Sequence, residues 1–118
     1  MILKFRRIIL FTSHMETMET METMEAFYRV VLGLKIAGRE DRWVDFDAGE
    51  CHLALHSEGG KPGKRPPKIV FHATDIAAAR TALVKRGAKM GKVVSAKQFD
   101  MCNGTDPDGN PFQVSSRP

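Results

Sequence analysis

The stretch Asp106-Pro107-Asp108-Gly109-Asn110, followed by Pro111-Phe112-Gln113-Val114, predicts a tight turn that leads into a β-strand. Pro107 fixes φ at the second position of the turn, and Gly109 can adopt the left-handed conformation that residues with side chains avoid. The two apolar residues of the strand share one face, and Gln113 lies on the other. Gln113 is therefore predicted to point away from the apolar side of a sheet.

Working outward from this turn, the sequence predicts two halves, each with the order β-α-β-β-β. The first half has strands at 4–12, 34–37, 43–46 and 51–57, and a helix from Met24 that ends at Gly33. The second half has strands at 69–73, 93–95, 99–102 and 111–114, and a helix from Ile76 to Arg86 that Asp75 caps and Gly87 ends. Both predicted helices have an apolar face, formed by Phe27, Val30 and Val31 in the first and by Ile76, Ala79, Leu83 and Val84 in the second.

The two halves are similar to each other at their first strands. Arg7-Ile8-Ile9-Leu10 matches Lys68-Ile69-Val70-Phe71, and each strand is followed by a helix that a glycine ends. The residues from Glu58 to Pro67 form a linker rich in Gly, Pro and Lys. We therefore expect a single domain over 1–118 that contains two repeats, at about 1–57 and 68–118.

A period-three repeat, Met-Glu-Thr, fills residues 15–23 before the first helix. On a helix, this period makes successive Met side chains drift round the axis, so that they form no stripe. Two interpretations stay open, a genuine extension at the start of the helix and a sequence artefact. Neither gives the repeat a cofactor or membrane role.

The composition is that of an ordinary globular protein, with 118 residues, 42% hydrophobic and 27% charged. The net charge is a mild +4, and the basic cluster of Lys61, Lys64, Arg65 and Lys68 has no interleaved aromatic residues. We interpret this cluster as a solvated linker and expect no nucleic-acid partner. The apolar run from Ile8 to Phe11 is too short for a signal peptide or a membrane span.

The two cysteines, Cys51 and Cys102, form no recognisable disulfide framework or metal motif. We expect both to be free thiols in a reducing, cytoplasmic environment.

Four fragments together resemble the vicinal oxygen chelate superfamily, which includes glyoxalase I, bleomycin resistance proteins and extradiol dioxygenases. In chain order they are Phe27-Tyr28-Arg29-Val30-Val31-Leu32-Gly33-Leu34, Leu53-Ala54-Leu55-His56, Asp75-Ile76 with Gly87-Ala88, and Asp106-Pro107-Asp108-Gly109-Asn110. The resemblance implies an α+β fold of paired βαβββ modules that form a half-open barrel. It also implies a homodimer, and a site for a small molecule in the concave cleft. In that family the first helix begins closer to the first strand, which favours an insertion or artefact in the Met-Glu-Thr repeat.

The same resemblance implies that metal-ligand positions fall on Arg7, Ala54, Lys68 and Gln113. Arginine and protonated lysine have no lone pair to offer a metal, and alanine has no ligand atom. Only Gln113 has a suitable side chain. We therefore expect no metal cofactor.

Three histidines, His52, His56 and His72, are predicted on the cleft side of their strands. They are either separately hydrogen-bonded residues or a relocated site for a divalent ion such as Ni, Zn, Mn or Fe.

Arg7 and Lys68 are expected near each other because of the repeat. They either hold an anionic ligand, with Gln113 as a hydrogen-bonding neighbour and Trp43 as a stacking wall, or are neutralised by acids such as Asp45 or Asp100.

The expected function is the binding of a small, anionic organic molecule in the cleft without a metal. The alternative is a divalent-metal-dependent lyase or dioxygenase with relocated ligands, and a third possibility is a protein whose cleft has become an interface. Whether the protein is an enzyme stays open, because a fold does not determine a function.

Overall fold

The computed structural model describes residues 1–13, 23–58, 60–61 and 63–118. The described chain forms two compact units, unit 1 at Met1–Gly63 and unit 2 at Lys64–Pro118. His14 and the Met-Glu-Thr repeat up to residue 22 lie outside the described residues. The predicted α+β fold is confirmed, because each unit combines one helical segment with one mixed sheet.

Unit 1 has the predicted order β-α-β-β-β. Its elements are β1 (Arg7–Phe11), α1 (Met24–Ala26) with a π-helical continuation (Phe27–Val31), β2 (Lys35–Glu40), β3 (Trp43–Asp47) and β4 (His52–His56). The strands lie in the order β1-β4-β3-β2, with β1 parallel to β4 and the other pairs antiparallel. The first and last strands of the unit are therefore neighbours in its sheet.

The first helix differs from the regular helix that the sequence predicts. It begins at Thr23, whose hydroxyl accepts a 3.4 Å hydrogen bond from the Ala26 amide, and it widens into the π-helical segment after one turn. In this wider turn Phe27 and Tyr28, which are adjacent in the chain, are both buried and pack edge to face at 5.2 Å. The predicted apolar face was therefore wrong at Val30, which is exposed.

One face of the unit 1 sheet packs against this helical segment. The Tyr28 ring lies 6.2 Å from the Phe46 ring, and Arg39 on the same face forms an ion pair with the buried Glu25 of α1. Because side chains alternate along a strand, Leu53 and the other residues in phase with Phe46 complete this buried face. The opposite face, which we call the open face, carries the polar residues described below.

Unit 2 follows the same plan with an extra short strand. Its elements are β5 (Ile69–His72), α2 (Ile76–Lys85), β6 (Lys89–Met90), β7 (Val94–Ser95), β8 (Asp100–Thr105) and β9 (Pro111–Ser115). The strand order is β5-β9-β8-β6, and β7 also pairs with β8. Strand β6 was not predicted, and β8 extends three residues beyond the expected end.

Helix α2 packs on β6, β8 and β9. The side chain of Asp75 caps it by accepting a 3.0 Å hydrogen bond from the Ala78 amide, and Gly87 follows its end with φ of 98°. The predicted buried face holds at Ile76 and at Leu83, but Val84 is exposed.

The turn at 106–110 joins β8 to β9 as predicted, with φ of 85° at Gly109. The Asp106 carboxylate accepts hydrogen bonds from the amides of Asp108 (3.0 Å) and Asn110 (2.8 Å) and from the Asn110 side chain (2.7 Å). The turn pairs Thr105 with Pro111 and so determines the register of the two strands.

Candidate functional site

The open face of unit 1 carries a cluster of three polar side chains, Arg7, Asp45 and His52. Arg7 donates from Nε to Asp45 Oδ1 at 3.0 Å and from Nη2 to Asp45 Oδ2 at 3.3 Å. His52 Nδ1 lies 2.8 Å from the same Oδ2. Both side chains therefore converge on one carboxylate, and of the two acids suggested for neutralising Arg7 the structure selects Asp45.

Arg7 reaches Asp45 across an intervening strand. Arg7 is on β1, Asp45 is on β3, and β4 runs between them. Ala54 of β4 lies directly opposite Asp45 in the sheet and is fully buried. The short side chain of Ala54 leaves room for the guanidinium to cross. This geometry gives a structural reason for alanine at a position where the resemblance implies a metal ligand.

The ion pair changes the acidity of both partners. Burial alone would raise the pKa of Asp45, but the hydrogen bonds from Arg7 and His52 and the charge of Arg7 outweigh it, so that this pKa lies below its usual value. The hydrogen bond to Asp45 raises the pKa of Arg7. Asp45 is consequently a carboxylate in any neutral solution.

Asp45→Asn is expected to destabilise the protein at neutral pH, and the difference from wild type should shrink in acid. The folded pKa of Asp45 lies below its unfolded value of about 3.9. The stabilisation is therefore fully present above the unfolded pKa and is lost as the pH falls through the folded one. Urea unfolding at neutral and acid pH measures the difference. Asp47→Asn, on the same strand, is the matched control, and an equal loss at every pH would contradict this linkage.

Aromatic rings lie beside the polar cluster on the same open face. The Arg7 guanidinium is 5.7 Å from the centre of the Trp43 ring, close enough for a cation–π contact. The His56 ring packs at 5.5 Å against Trp43 and at 6.0 Å against Phe11. A side chain at Gly60 would begin 2.9 Å from the Phe11 ring, so glycine lets the chain after β4 pass close to this ring. We call the rings of Phe11, Trp43 and His56 the aromatic wall.

In unit 2 the open face is the sheet face opposite the one that buries Phe112 and Cys102, and it carries a group of amides around Lys68. The Asn103 side-chain oxygen accepts from Lys68 Nζ at 3.2 Å and from Gln113 Nε2 at 3.0 Å, and Gln113 also lies 3.4 Å from Met101 Sδ. Among the described residues Lys68 forms no ion pair. His72 is exposed on the same face and does not join this group.

The candidate residues therefore fall into two sets. Arg7, Trp43, His52 and His56 come together on the open face of unit 1, whereas Lys68, Gln113 and His72 lie on that of unit 2. The expected proximity of Arg7 and Lys68 stays a prediction. Sequence reasoning did not single out Phe11 or Asn103.

The residues at the implied metal-ligand positions do not fit a metal ion. Arg7 is held by Asp45, Ala54 has no donor atom, Lys68 is a cation, and the Gln113 amide is bonded to Asn103. In the part of the chain that the structure describes, no three His, Cys, Asp or Glu side chains are grouped so that they could hold an ion. His52 and His56 share a strand but bind different neighbours.

Both cysteines are free thiols, as the sequence predicted. Burial raises the pKa of the Cys102 thiol, which donates at 3.1 Å to the Gly91 carbonyl. This side chain is fully buried and faces the helix side of its sheet, where it fills space as a small apolar residue. No helix within the described ranges has the length and apolar character that a membrane span requires.

The fold is shared with solved structures of low sequence identity. TnmS3, an antibiotic binding protein from Streptomyces sp. CB03234, is 16% identical, with 96% of this chain and 94% of that chain covered and a TM-score of 0.75. A glyoxalase/bleomycin resistance protein/dioxygenase from Nocardioides is 17% identical (98% and 83% covered, TM-score 0.75). A putative glyoxalase family protein from Bacillus anthracis is also 17% identical (98% and 95% covered, TM-score 0.75).

None of the curated proteins matches this chain. The model of one protein family, the Glyoxalase/Bleomycin resistance protein/Dioxygenase superfamily, matches residues 14–114. Because this match covers most of its length, the chain belongs to the Glyoxalase/Bleomycin resistance protein/Dioxygenase superfamily.

Proposed function

We propose that this protein binds a small, anionic aromatic molecule on the open face of unit 1, without the metal ion that the family often uses. The observation that carries the proposal is the position of the Arg7 guanidinium, which Asp45 holds over Trp43. Aromatic side chains beside a few fixed polar groups are typical of small-molecule sites. The aromatic wall supplies the apolar contact, and Arg7 supplies the charge.

Arg7 retains donors for a ligand although it is paired. A guanidinium has five N–H donors, and Asp45 takes one from Nε and one from Nη2. The edge formed by Nη1 and the second hydrogen of Nη2 can therefore grip the carboxylate or phosphate of a ligand in a two-point contact. Asp45 prepares this edge by fixing the guanidinium, which lowers the entropy lost on binding.

Unit 2 has an anion-recognition group of its own, which we assign to Lys68. Its ammonium group is exposed and lies against the Asn103 amide oxygen, which contributes no charge to balance it. Lys68 Nζ and the Asn103 amide nitrogen offer N–H donors to an anion, and Gln113, whose amide hydrogens bond to Asn103 and Met101, orients the Asn103 side chain. His72 is the last residue of β5, the strand that begins directly after Lys68. We propose it as a peripheral member of this ligand-binding group.

Membership of the superfamily supports a role in binding. TnmS3 is an antibiotic binding protein, and sequestration of a compound requires binding alone, with no catalytic metal. We propose that the repeats at about 1–57 and 68–118 together form one domain, and that the protein acts in the cytoplasm as a homodimer.

The test is a titration with 2-naphthoate, a planar aromatic anion, followed by NMR. Trp43 is the only tryptophan in the chain, so its indole N–H gives a single assigned signal. We expect a saturable shift of this signal, and roughly tenfold weaker binding in Arg7→Gln, as for the loss of a charged hydrogen bond. Arg6→Gln is the matched control at an exposed neighbour. Absence of saturable binding would overturn the proposal.

Metal titration separates this proposal from the alternative of a metal-dependent lyase or dioxygenase. Calorimetry with nickel, zinc, manganese and ferrous iron on untagged protein is expected to show no stoichiometric binding, because the donor set does not fit. Binding of one ion per chain that is lost in His56→Ala or His72→Ala would replace the proposal with the alternative.

A further inference from the structure

The hydrogen bond between His52 and Asp45 determines which nitrogen of the imidazole carries a proton. Asp45 is ionised at neutral pH and can only accept hydrogen bonds. The ring nitrogen that faces it at 2.8 Å, Nδ1, must therefore be the protonated one. In the neutral imidazole this leaves the lone pair on Nε2.

The environment of His52 makes this tautomer available to a ligand. Asp45 is itself held by Arg7 at 3.0 and 3.3 Å, so the carboxylate has a fixed orientation. The side chain of His52 is 17% exposed, and within the described ranges Nε2 has no hydrogen-bond partner. Trp43 and the rest of the aromatic wall lie on the same open face of the sheet.

We propose that His52 Nε2 accepts a hydrogen bond from a hydroxyl group of the ligand. The inference rests on the proposed function and narrows its ligand class to hydroxylated aromatic molecules, that is, phenols. In the proposed arrangement the aromatic ring of the ligand contacts the wall, and its hydroxyl donates to His52 Nε2 on the same open face. Asp45 is a positioning residue here, because it acts on the ligand only through His52 and Arg7.

His56 is a natural comparison, since it lies on the same strand and the same face. It contacts Phe11 and Trp43 through its ring, and no described carboxylate bonds to it. Its tautomer is therefore not set as that of His52 is. The proposed role predicts that the preference for a ligand with a hydroxyl group is lost when His52 is substituted and is kept when His56 is substituted.

The binding test uses 2-naphthol and 2-methoxynaphthalene, two neutral probes that share a ring system. The first has a hydroxyl donor, and the second has a methyl ether in its place. We expect wild type to bind 2-naphthol about tenfold more tightly, the ratio of one buried hydrogen bond. The ratio should fall to about one in His52→Gln. In His56→Gln, which removes a ring of the aromatic wall, both probes should bind more weakly, but the ratio of their affinities should stay near its wild-type value. Equal affinity of wild type for the two probes would overturn the inference.

A second measurement needs no variant. Long-range ¹H–¹⁵N correlation spectra of histidine side chains distinguish a protonated ring nitrogen from one with a lone pair. For neutral His52 we expect a protonated Nδ1 and an unprotonated Nε2, and we expect the Nε2 resonance to move when 2-naphthol is added. In Asp45→Asn, whose amide can also donate, the preference for the Nδ1–H tautomer should be lost. A wild-type His52 with its proton on Nε2 would overturn the inference whatever the binding data.

The outcomes also separate the inference from the proposed function. Saturable binding of 2-naphthoate together with equal binding of the two neutral probes contradicts only the role of His52. Failure of every naphthalene probe to bind contradicts the aromatic site itself, and the inference with it.

Discussion

Asp106→Ala is expected to lower the free energy of unfolding by about 3 kcal/mol, since it removes three hydrogen bonds to a buried carboxylate. The cost is high because the Asn110 amide and side chain are buried and lose their acceptor. Asp106→Asn keeps one acceptor oxygen and should cost about 1 kcal/mol. Urea unfolding monitored by circular dichroism measures both values.

The control for this turn is Asp41→Ala, which removes a carboxylate that is 97% exposed. An exposed acid of this kind should change the stability by less than about 0.5 kcal/mol. A similar loss in Asp41→Ala and Asp106→Ala would show that the carboxylate network does not hold the turn. The turn would then depend on its backbone conformation alone.

The features of the fold that sequence could predict are those with a local cause. Alternation of apolar residues locates β4, an N-cap locates the start of α2, and a glycine with positive φ follows each helical segment. The π-helical segment has no such cause. It depends on the burial of Phe27 and Tyr28 together, which is a property of the packed unit.

The partner of Arg7 shows where sequence reasoning about the site ends. Alternation puts Asp45 on the open face of β3, and Asp45 is one of the two acids that the sequence offers as partners. Which acid meets Arg7 depends on the registers of β1 with β4 and of β4 with β3. A shift of one residue in either register would turn a different set of side chains to this face. The sequence does not contain that information in a local form.

Asn103, in contrast, could have been found from the sequence. The turn at 106–110 pairs Thr105 with Pro111, and two further steps along each strand bring Asn103 opposite Gln113. Directly opposite residues in an antiparallel pair contact each other. Counting back from the turn would therefore have added this amide to the group around Lys68. The prediction missed Asn103 because it ended this strand at residue 102, whereas β8 continues to Thr105.

Phe112→Ala is expected to lower the free energy of unfolding by about 4 kcal/mol, the largest effect that we predict. The Phe112 ring is buried, packs edge to face at 6.2 Å against Phe71, and lies over Gly104 on the neighbouring strand. A Cβ at position 104 would lie 2.8 Å from this ring and 2.6 Å from Met90 Sδ. Gly104 is therefore glycine because Phe112 and Met90 occupy the space of a side chain.

This packing predicts a coupling between the two positions. Gly104→Ala alone should cost about 2 kcal/mol, as an overpacked core does. In the Phe112→Ala background it should cost about 1 kcal/mol, because the ring is gone and the flexible Met90 side chain can move. Gly38→Ala is the matched control, since a Cβ there meets no atom within 4 Å. Denaturant unfolding of the four variants measures the coupling. Strict additivity of Gly104→Ala and Phe112→Ala would contradict this account, because two residues that compete for the same space cannot act independently.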